Sequence, residues 1–389
     1  MRYVNVRRTW AMVATIAVMV ALFGLLLAGC GGVKTAGDAT TDTSATAGSD
    51  TTAATGTGAG SSDTTGGALE AALNGAGATF PEPLYVEWAG EFGASVQPGV
   101  SINYQGIGSG GGIQQFTAGT VDFGASDAPM KDEEIAAAEA KSGSKVLHIP
   151  TVMGAVVAAY NLEGVTELKL DSDTLAAIFL GTVTKWNDPA IAALNPGATF
   201  PDSAIQVVHR SDSSGTTNIF TGYLTQVSPE WAAQVGKGKD VKWPVGVGGQ
   251  GNNGVAALIQ QQKGSLGYVE LSYALESNLP MATLKNKAGN FVVPSLESTA
   301  AAATGVDIPA DLRFALSDSP GAQAYPIVGA TWILAYDTMK DPAKADALKA
   351  FLTWALTDGT SLAQELNYAP LSDDLRARSL VKVDMIHGG

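Results

Sequence analysis

The sequence predicts an α/β protein of two lobes, with mixed sheets flanked by helices, two crossovers between the lobes and a ligand cleft between them. Three observations predict it. Short apolar runs alternate with segments of helical period along the chain, the pattern of α/β folds. Roughly 320 residues follow Gly67 in this 389-residue chain, above the roughly 250–300 at which single cores tend to divide. Three segments, Gly75–Pro81, Gly106–Gly112 and Arg210–Thr216, join glycine and hydroxyl residues to a predicted helix start. A helix start has unpaired N–H groups and partial positive charge, so it holds anions without a metal.

The N-terminus stands apart from that fold. Arg2, Arg7 and Arg8 precede an apolar run from Trp10 to Gly29 broken by Thr15, which reads as an export signal. The run is long enough to span a bilayer, so a retained transmembrane anchor is the alternative. Leu27-Ala28-Gly29-Cys30 resembles the bacterial lipobox, which implies cleavage before Cys30 and lipid attachment to it. Residues 31–67 are almost entirely Gly, Ala, Thr, Ser and Asp, the composition of a solvated, disordered tether. Cys30 is the single cysteine, which excludes an intrachain disulfide and a multi-cysteine metal site.

Beyond the tether, Pro81–Phe92 reads as a helix with Leu84, Tyr85, Trp88 and Phe92 on one face. Ser101–Gln105 and Val121–Ser126 read as strands, and a helix with Asp132, Glu133 and Glu134 in its first turn follows. Thr151–Tyr160 is an apolar run expected to open the second lobe as a buried strand. Helices are predicted at Asp173–Leu180, Thr217–Thr225, Val255–Gln262 and Ala343–Leu356, and strands at Ile205–His209, Gly267–Glu270 and Tyr325–Tyr336. The crossovers are expected near Ile149-Pro150 and Tyr325-Pro326. This gives a signal peptide at 1–29, the lipidated cysteine and tether at 30–67, one lobe from 68–149 plus 327–389, and the other from 150–326.

The formal charge of −14 opposes a nucleic-acid surface but not an enclosed small anion. Gly106-x-Gly108-x-x-Gly111 satisfies the dinucleotide fingerprint, between a predicted strand and helix. Gly246-x-Gly248-x-x-Gly251 satisfies it too, so the pattern is cheap in a chain with 46 glycines. No P-loop motif occurs. His148, His209 and His387 stand in no metal-binding spacing, and His209 as a base for Ser213 or Ser214 is the sole catalytic arrangement on offer. The expectation is no catalysis, no metal and no cofactor.

Several motifs in order resemble one family closely. Gly75-Ala76-Gly77-Ala78-Thr79-Phe80-Pro81, Asn103-Tyr104-Gln105-Gly106-Ile107-Gly108-Ser109, Val121–Pro129 and Ser214-Gly215-Thr216 are similar to the motifs of the PstS phosphate-binding receptors of ABC importers. Lys242-Trp243-Pro244 and Gly267–Glu270 extend the likeness. The resemblance implies a type II periplasmic-binding-protein fold and phosphate contacts from Thr79, Phe80 (through its N–H), Ser109, Asp127, Arg210, Asp212, Ser214, Gly215 and Thr216. Asp127 would accept the proton of monohydrogen phosphate, a proton that sulfate lacks; its bland alternative is a cap for a helix near Pro129. Ser214, Thr216 and Ser109 have ordinary capping as theirs. Gly110, where many relatives have serine, and His209 depart from the pattern. The implied partners are inorganic phosphate, the membrane permease with its cytoplasmic ATPase, and the membrane itself through Cys30, with the chain a monomer on the outer face of a bacterial cytoplasmic membrane. Sulfate or molybdate as ligand, or a phosphatase activity, are the competing readings.

Overall fold

From Leu147 to Tyr160 nearly every side chain is apolar, the signature of a strand covered on both faces. In the computed structural model, which describes residues 69–389, this run lies within a 16-residue strand, Val146–Asn161, buried at every position except its two ends. Its length gives it two long partners in succession, one along each edge. Val146–Ala155 pairs antiparallel with Val328–Tyr336, and Val156–Asn161 pairs antiparallel with Ser265–Glu270.

Each half of the sheet adds parallel strands to that spine. In one, Ala71–Gly77 lies between Val100–Gly106 and Phe123–Ser126, and the last pairs antiparallel with Val328–Tyr336. In the other, Gln206–Arg210 lies between Ser265–Glu270 and Val247–Gly249. With Ala369–Pro370 on the long strand they form a nine-stranded mixed sheet flanked by helices, the two-lobed α/β fold expected.

The crossing expected at Ile149-Pro150 falls inside the long strand rather than in a loop. There the register shifts: Pro150 faces Trp332 and Val152 faces Thr331, so Thr151 bulges out between them. A bulge tolerates a residue that has no N–H to give the ladder. The strand changes partners between Ala155 and Val156, where the Val156 N–H donates to the Ile327 carbonyl at 2.8 Å.

The helices follow the apolar periodicity. Glu82–Glu91 buries Leu84, Tyr85 and Trp88, and a single π-helical turn, Phe92–Val96, continues it. Aromatic packing fills both halves: Tyr104 meets Tyr85 edge-on at 5.2 Å in one, and Phe220 stacks on Tyr268 at 4.3 Å in the other. The signal peptide, Cys30 and the tether lie outside the described residues. Among those residues no helix is long and apolar enough to cross a membrane.

Candidate functional site

In open α/β sheets, ligands bind beyond the carboxyl ends of the parallel strands. Here the loops leaving Ala71–Gly77, Val100–Gly106 and Phe123–Ser126 meet those leaving Gln206–Arg210, Val247–Gly249 and Ser265–Glu270. Hydrogen bonds from Gly110 N to the Ser213 carbonyl (2.9 Å), from Gly215 N to Ser109 Oγ (3.1 Å) and from Asn252 Nδ2 to Thr79 Oγ1 (3.0 Å) join the two sets.

Thr79 and Phe80 follow the first strand, both buried. The Tyr273 hydroxyl donates to the Thr79 carbonyl, and the Tyr368 hydroxyl donates to the Phe80 carbonyl at 2.7 Å. The Thr79–Phe80 peptide is trans and planar, so a carbonyl held toward Tyr273 aims the Phe80 N–H the opposite way. Among the described residues that N–H has no protein acceptor.

Ser109 begins the helix Ser109–Ala118 after a turn that only glycine suits: Gly108 has φ 85°, and a Cβ on it would lie 2.4 Å from Asp212 Oδ2. Ser109 Oγ accepts the N–H groups of Asp127 and Gly215, both at 3.1 Å, and so joins the two halves. Asp127 follows the strand Phe123–Ser126, 3 % exposed. It caps no helix, because the next one is Asp132–Ser142, closed by Lys131 and Glu134. Its Oδ2 lies 3.4 Å from Ser109 Oγ, and its shielded Oδ1 has no hydrogen-bond partner. Burial pushes this carboxyl up to about 7, against the lowering pull of the nearby Thr331 hydroxyl, Arg210 and Ser109.

Across the cleft, Arg210 ends its strand buried, its backbone N–H held by the Tyr268 hydroxyl at 3.1 Å. Nε donates to Asp212 Oδ1 at 2.7 Å, Nη2 to Asp212 Oδ2, and Nη1 to Thr216 Oγ1 at 3.3 Å. Burial alone would raise the Asp212 carboxyl, but Arg210 and the Gly251 N–H hold it below its ordinary value. Asp212 therefore fixes the guanidinium, and the pair is electrically neutral. The helix Gly215–Val227 starts here. Ser214 is its cap, accepting the Thr217 N–H at 3.0 Å, so its capping role is real. Gly215 must lack a side chain: a Cβ would lie 2.4 Å from Ser109 Oγ and 2.6 Å from Asp127 Cβ.

All nine expected contacts thus fall in one interlobe cluster. The first-turn N–H groups of Ser109 and Thr216 also find no protein acceptor among the described residues. Unpaired N–H groups, hydroxyls and a guanidinium beside one unpaired carboxylate, Asp127, are the donor and acceptor set that suits an anion carrying a proton. Beside Thr79 and Asp212 opens a cavity of about 170 Å³.

Asn252, Tyr273 and Tyr368 of the cluster escape a reading of the sequence, and Glu270 enters it only as the end of a family-like segment. Asn252 is fully buried between Thr79 and Thr216. The glycine loop before it is plain in the sequence, but nothing in its spacing marks an asparagine as a bridge. Glu270, also fully buried, is pushed up to about 8 by that burial, against the Ser272 hydroxyl and N–H. His209 turns away from chemistry: its ring stacks on Trp243 at 4.7 Å and its Nδ1 lies 2.9 Å from the Arg210 carbonyl.

Comparison with known proteins bears on the family and the fold. Residues 37–359 match the PBP superfamily domain. The chain is 47 % identical over 307 residues to the phosphate-binding protein PstS of Pasteurella multocida, covering 78 % of this chain and 87 % of that one. With its namesake from Methanocaldococcus jannaschii it shares 42 % over 335 residues, covering 80 % and 85 %. A solved phosphate-binding protein from Stenotrophomonas maltophilia superposes with a TM-score of 0.65 at 20 % identity, over 80 % of this chain and 94 % of that one, a likeness of fold. From the strand-end cluster, the ordered motifs and these matches together, the chain belongs to the PstS family within the PBP superfamily.

Proposed function

We propose that this protein is the extracytoplasmic receptor of a phosphate ABC importer, and that it grips inorganic phosphate with Thr79, Phe80, Ser109, Asp127, Arg210, Asp212, Ser214, Gly215 and Thr216. The observation that carries this is Asp127: a buried carboxylate whose Oδ1 has no hydrogen-bond partner, in one cluster with the Ser109, Arg210 and Thr216 donors. Donors alone serve any tetrahedral anion. A lone acceptor among them suits an anion that brings its own proton, and it leaves an acceptor facing an acceptor when sulfate binds.

In this reading 68–149 plus 327–389 make one lobe and 150–326 the other, and closure completes the contacts. The receptor is anchored through lipid on Cys30 by the tether, acts as a monomer without cofactor or catalysis, and passes phosphate to a permease driven by a cytoplasmic ATPase. The stacking of His209 on Trp243 supports the absence of a serine-activating base.

Calorimetric titration with phosphate and then sulfate at pH 8 or above, where Asp127 is ionised and can only accept, tests the proposal. Phosphate should bind about 10- to 100-fold more tightly than sulfate, the cost of one unpaired buried acceptor being roughly 1–3 kcal/mol. Asp127→Asn should shrink that ratio about tenfold, because an amide can donate to sulfate. Equal affinity of the native chain for the two ions would sink the role given to Asp127.

A further inference from the structure

Asn252 lies on the first turn of the helix Gly251–Gln261, wholly buried, and its amide orientation is settled by its neighbours. The backbone N–H of Glu270 donates to one amide atom at 3.1 Å, and an N–H can only donate, so that atom is Oδ1. Nδ2 therefore faces the other way, toward Thr79 Oγ1 at 3.0 Å and Thr216 Oγ1 at 3.1 Å.

Each threonine hydroxyl also receives a second donor. Thr79 Oγ1 accepts the backbone N–H of Asn252 at 3.2 Å, and Thr216 Oγ1 accepts Nη1 of Arg210 at 3.3 Å. A hydroxyl oxygen has two acceptor positions, so both are full. What each hydroxyl retains is its proton, and among the described residues neither gives that proton to a protein acceptor.

We infer that Asn252 is a positioning residue that turns the Thr79 and Thr216 hydroxyls into obligatory donors, and so sets the protonation pattern of the anion the cleft accepts. This rests on the phosphate-receptor reading. A hydroxyl with a free lone pair can rotate to accept a proton from a ligand; these two cannot. The ligand oxygens they meet must be unprotonated, which leaves the Asp127 side as the place for the phosphate proton. Asn252 also links the lobes: Thr216 receives both its donors from its own lobe, whereas Thr79 receives both of its donors from Asn252 across the cleft, so the Thr79 hydroxyl is set only when the lobes are together.

The test is a mutant cycle read by calorimetry with inorganic phosphate on the full chain, with thermal melting as a control for folding. Asn252→Ala should weaken phosphate binding about 10- to 100-fold, two hydrogen bonds to a charged ligand being loosened. In the Thr79→Val, Thr216→Val background, where no hydroxyl remains to orient, adding Asn252→Ala should change affinity by less than about threefold. An equal loss in both backgrounds would mean that Asn252 supports the site only by packing, and overturns the inference. So would unchanged affinity in the single variant. If Asn252→Ala does not fold, Asn252→Ser goes through the same cycle with the same criteria. Native chain that fails to bind phosphate would instead overturn the receptor reading itself.

Discussion

At the scale of single residues, the cleft is shaped by which atoms are missing as much as by which are present. The space a Cβ would need at Gly110 is filled by Ser213, whose Cβ lies 2.4 Å from that point, while the Gly110 N–H bonds the Ser213 carbonyl. One of the two positions has to be small. Gly110→Ser is therefore expected to prop the lobes apart and to weaken phosphate binding about tenfold, because the donors of the far lobe then stand too distant from the anion to bond it fully. Ser213→Gly placed in the same chain should recover most of that affinity, which titration of the two variants would measure. Failure to recover would locate the fault in the helix start rather than in the contact across the cleft.

At the scale of elements, the helix Ser109–Ala118 carries Ser109 to the cleft only if it lies flat on the strands beneath it. Gly112 makes that possible: a Cβ there would stand 2.5 Å from Gly77 Cα, 2.7 Å from the Ala125 carbonyl oxygen and 2.9 Å from that of Ala76. All are backbone atoms that cannot rotate away. Gly112→Ala should destabilise the chain by about 1–3 kcal/mol, overpacking outweighing the helix propensity gained, and should lower phosphate affinity with it. Denaturant midpoints and titration check the two parts. The same elements show what a sequence discloses. Thr151–Tyr160 and Ala343–Leu356 are legible because a long apolar run or face allows few alternatives, whereas Val146–Pro150, read as leading to a crossover, continues the same strand because a bulge accommodates Pro150. Ala71–Gly77 is not, since Asn74, Gly75 and Gly77 disguise a strand whose place is fixed by parallel neighbours on both sides. The helix Gly251–Gln261 is readable only from Val255 onward, because Gly-Asn-Asn-Gly has little helical preference of its own. That hidden first turn contains Asn252. The motif residues of the cleft can be read one by one. Asn252, Tyr273 and Tyr368 instead act across 173, 194 and 288 residues of sequence, on a hydroxyl or on backbone carbonyls that no local pattern marks.

At the scale of the whole molecule, two wholly buried carboxyls make stability depend on pH in an unusual sense. Burial raises Asp127 to about 7 and Glu270 to about 8, whereas both would ionise near 4 in the unfolded chain. Between those values the folded state holds protons that the unfolded state has released. Unfolding free energy then falls as pH rises, and the fall ends once pH passes the folded values. His148 acts in the opposite sense: burial lowers it to about 4, so its contribution to stability is lost as pH drops below about 6.5. The window from about pH 6.5 to 8 isolates the carboxyls. Asp212, held low by Arg210, titrates well below it. Glu270 contributes most there, since its value lies at the upper edge. Glu270→Gln keeps the shape and the neutral state of the acid at every pH. The native chain should lose roughly 2 kcal/mol of stability from pH 6.5 to 8, and the variant should show a visibly shallower loss, the two chains converging only below about pH 4 where the unfolded-state acid is itself protonated. Denaturant melts across that range decide it. Parallel curves for the two chains would mean that Glu270 is already ionised in the folded protein, and would require a partner for its Oε1, which has none at hydrogen-bond distance.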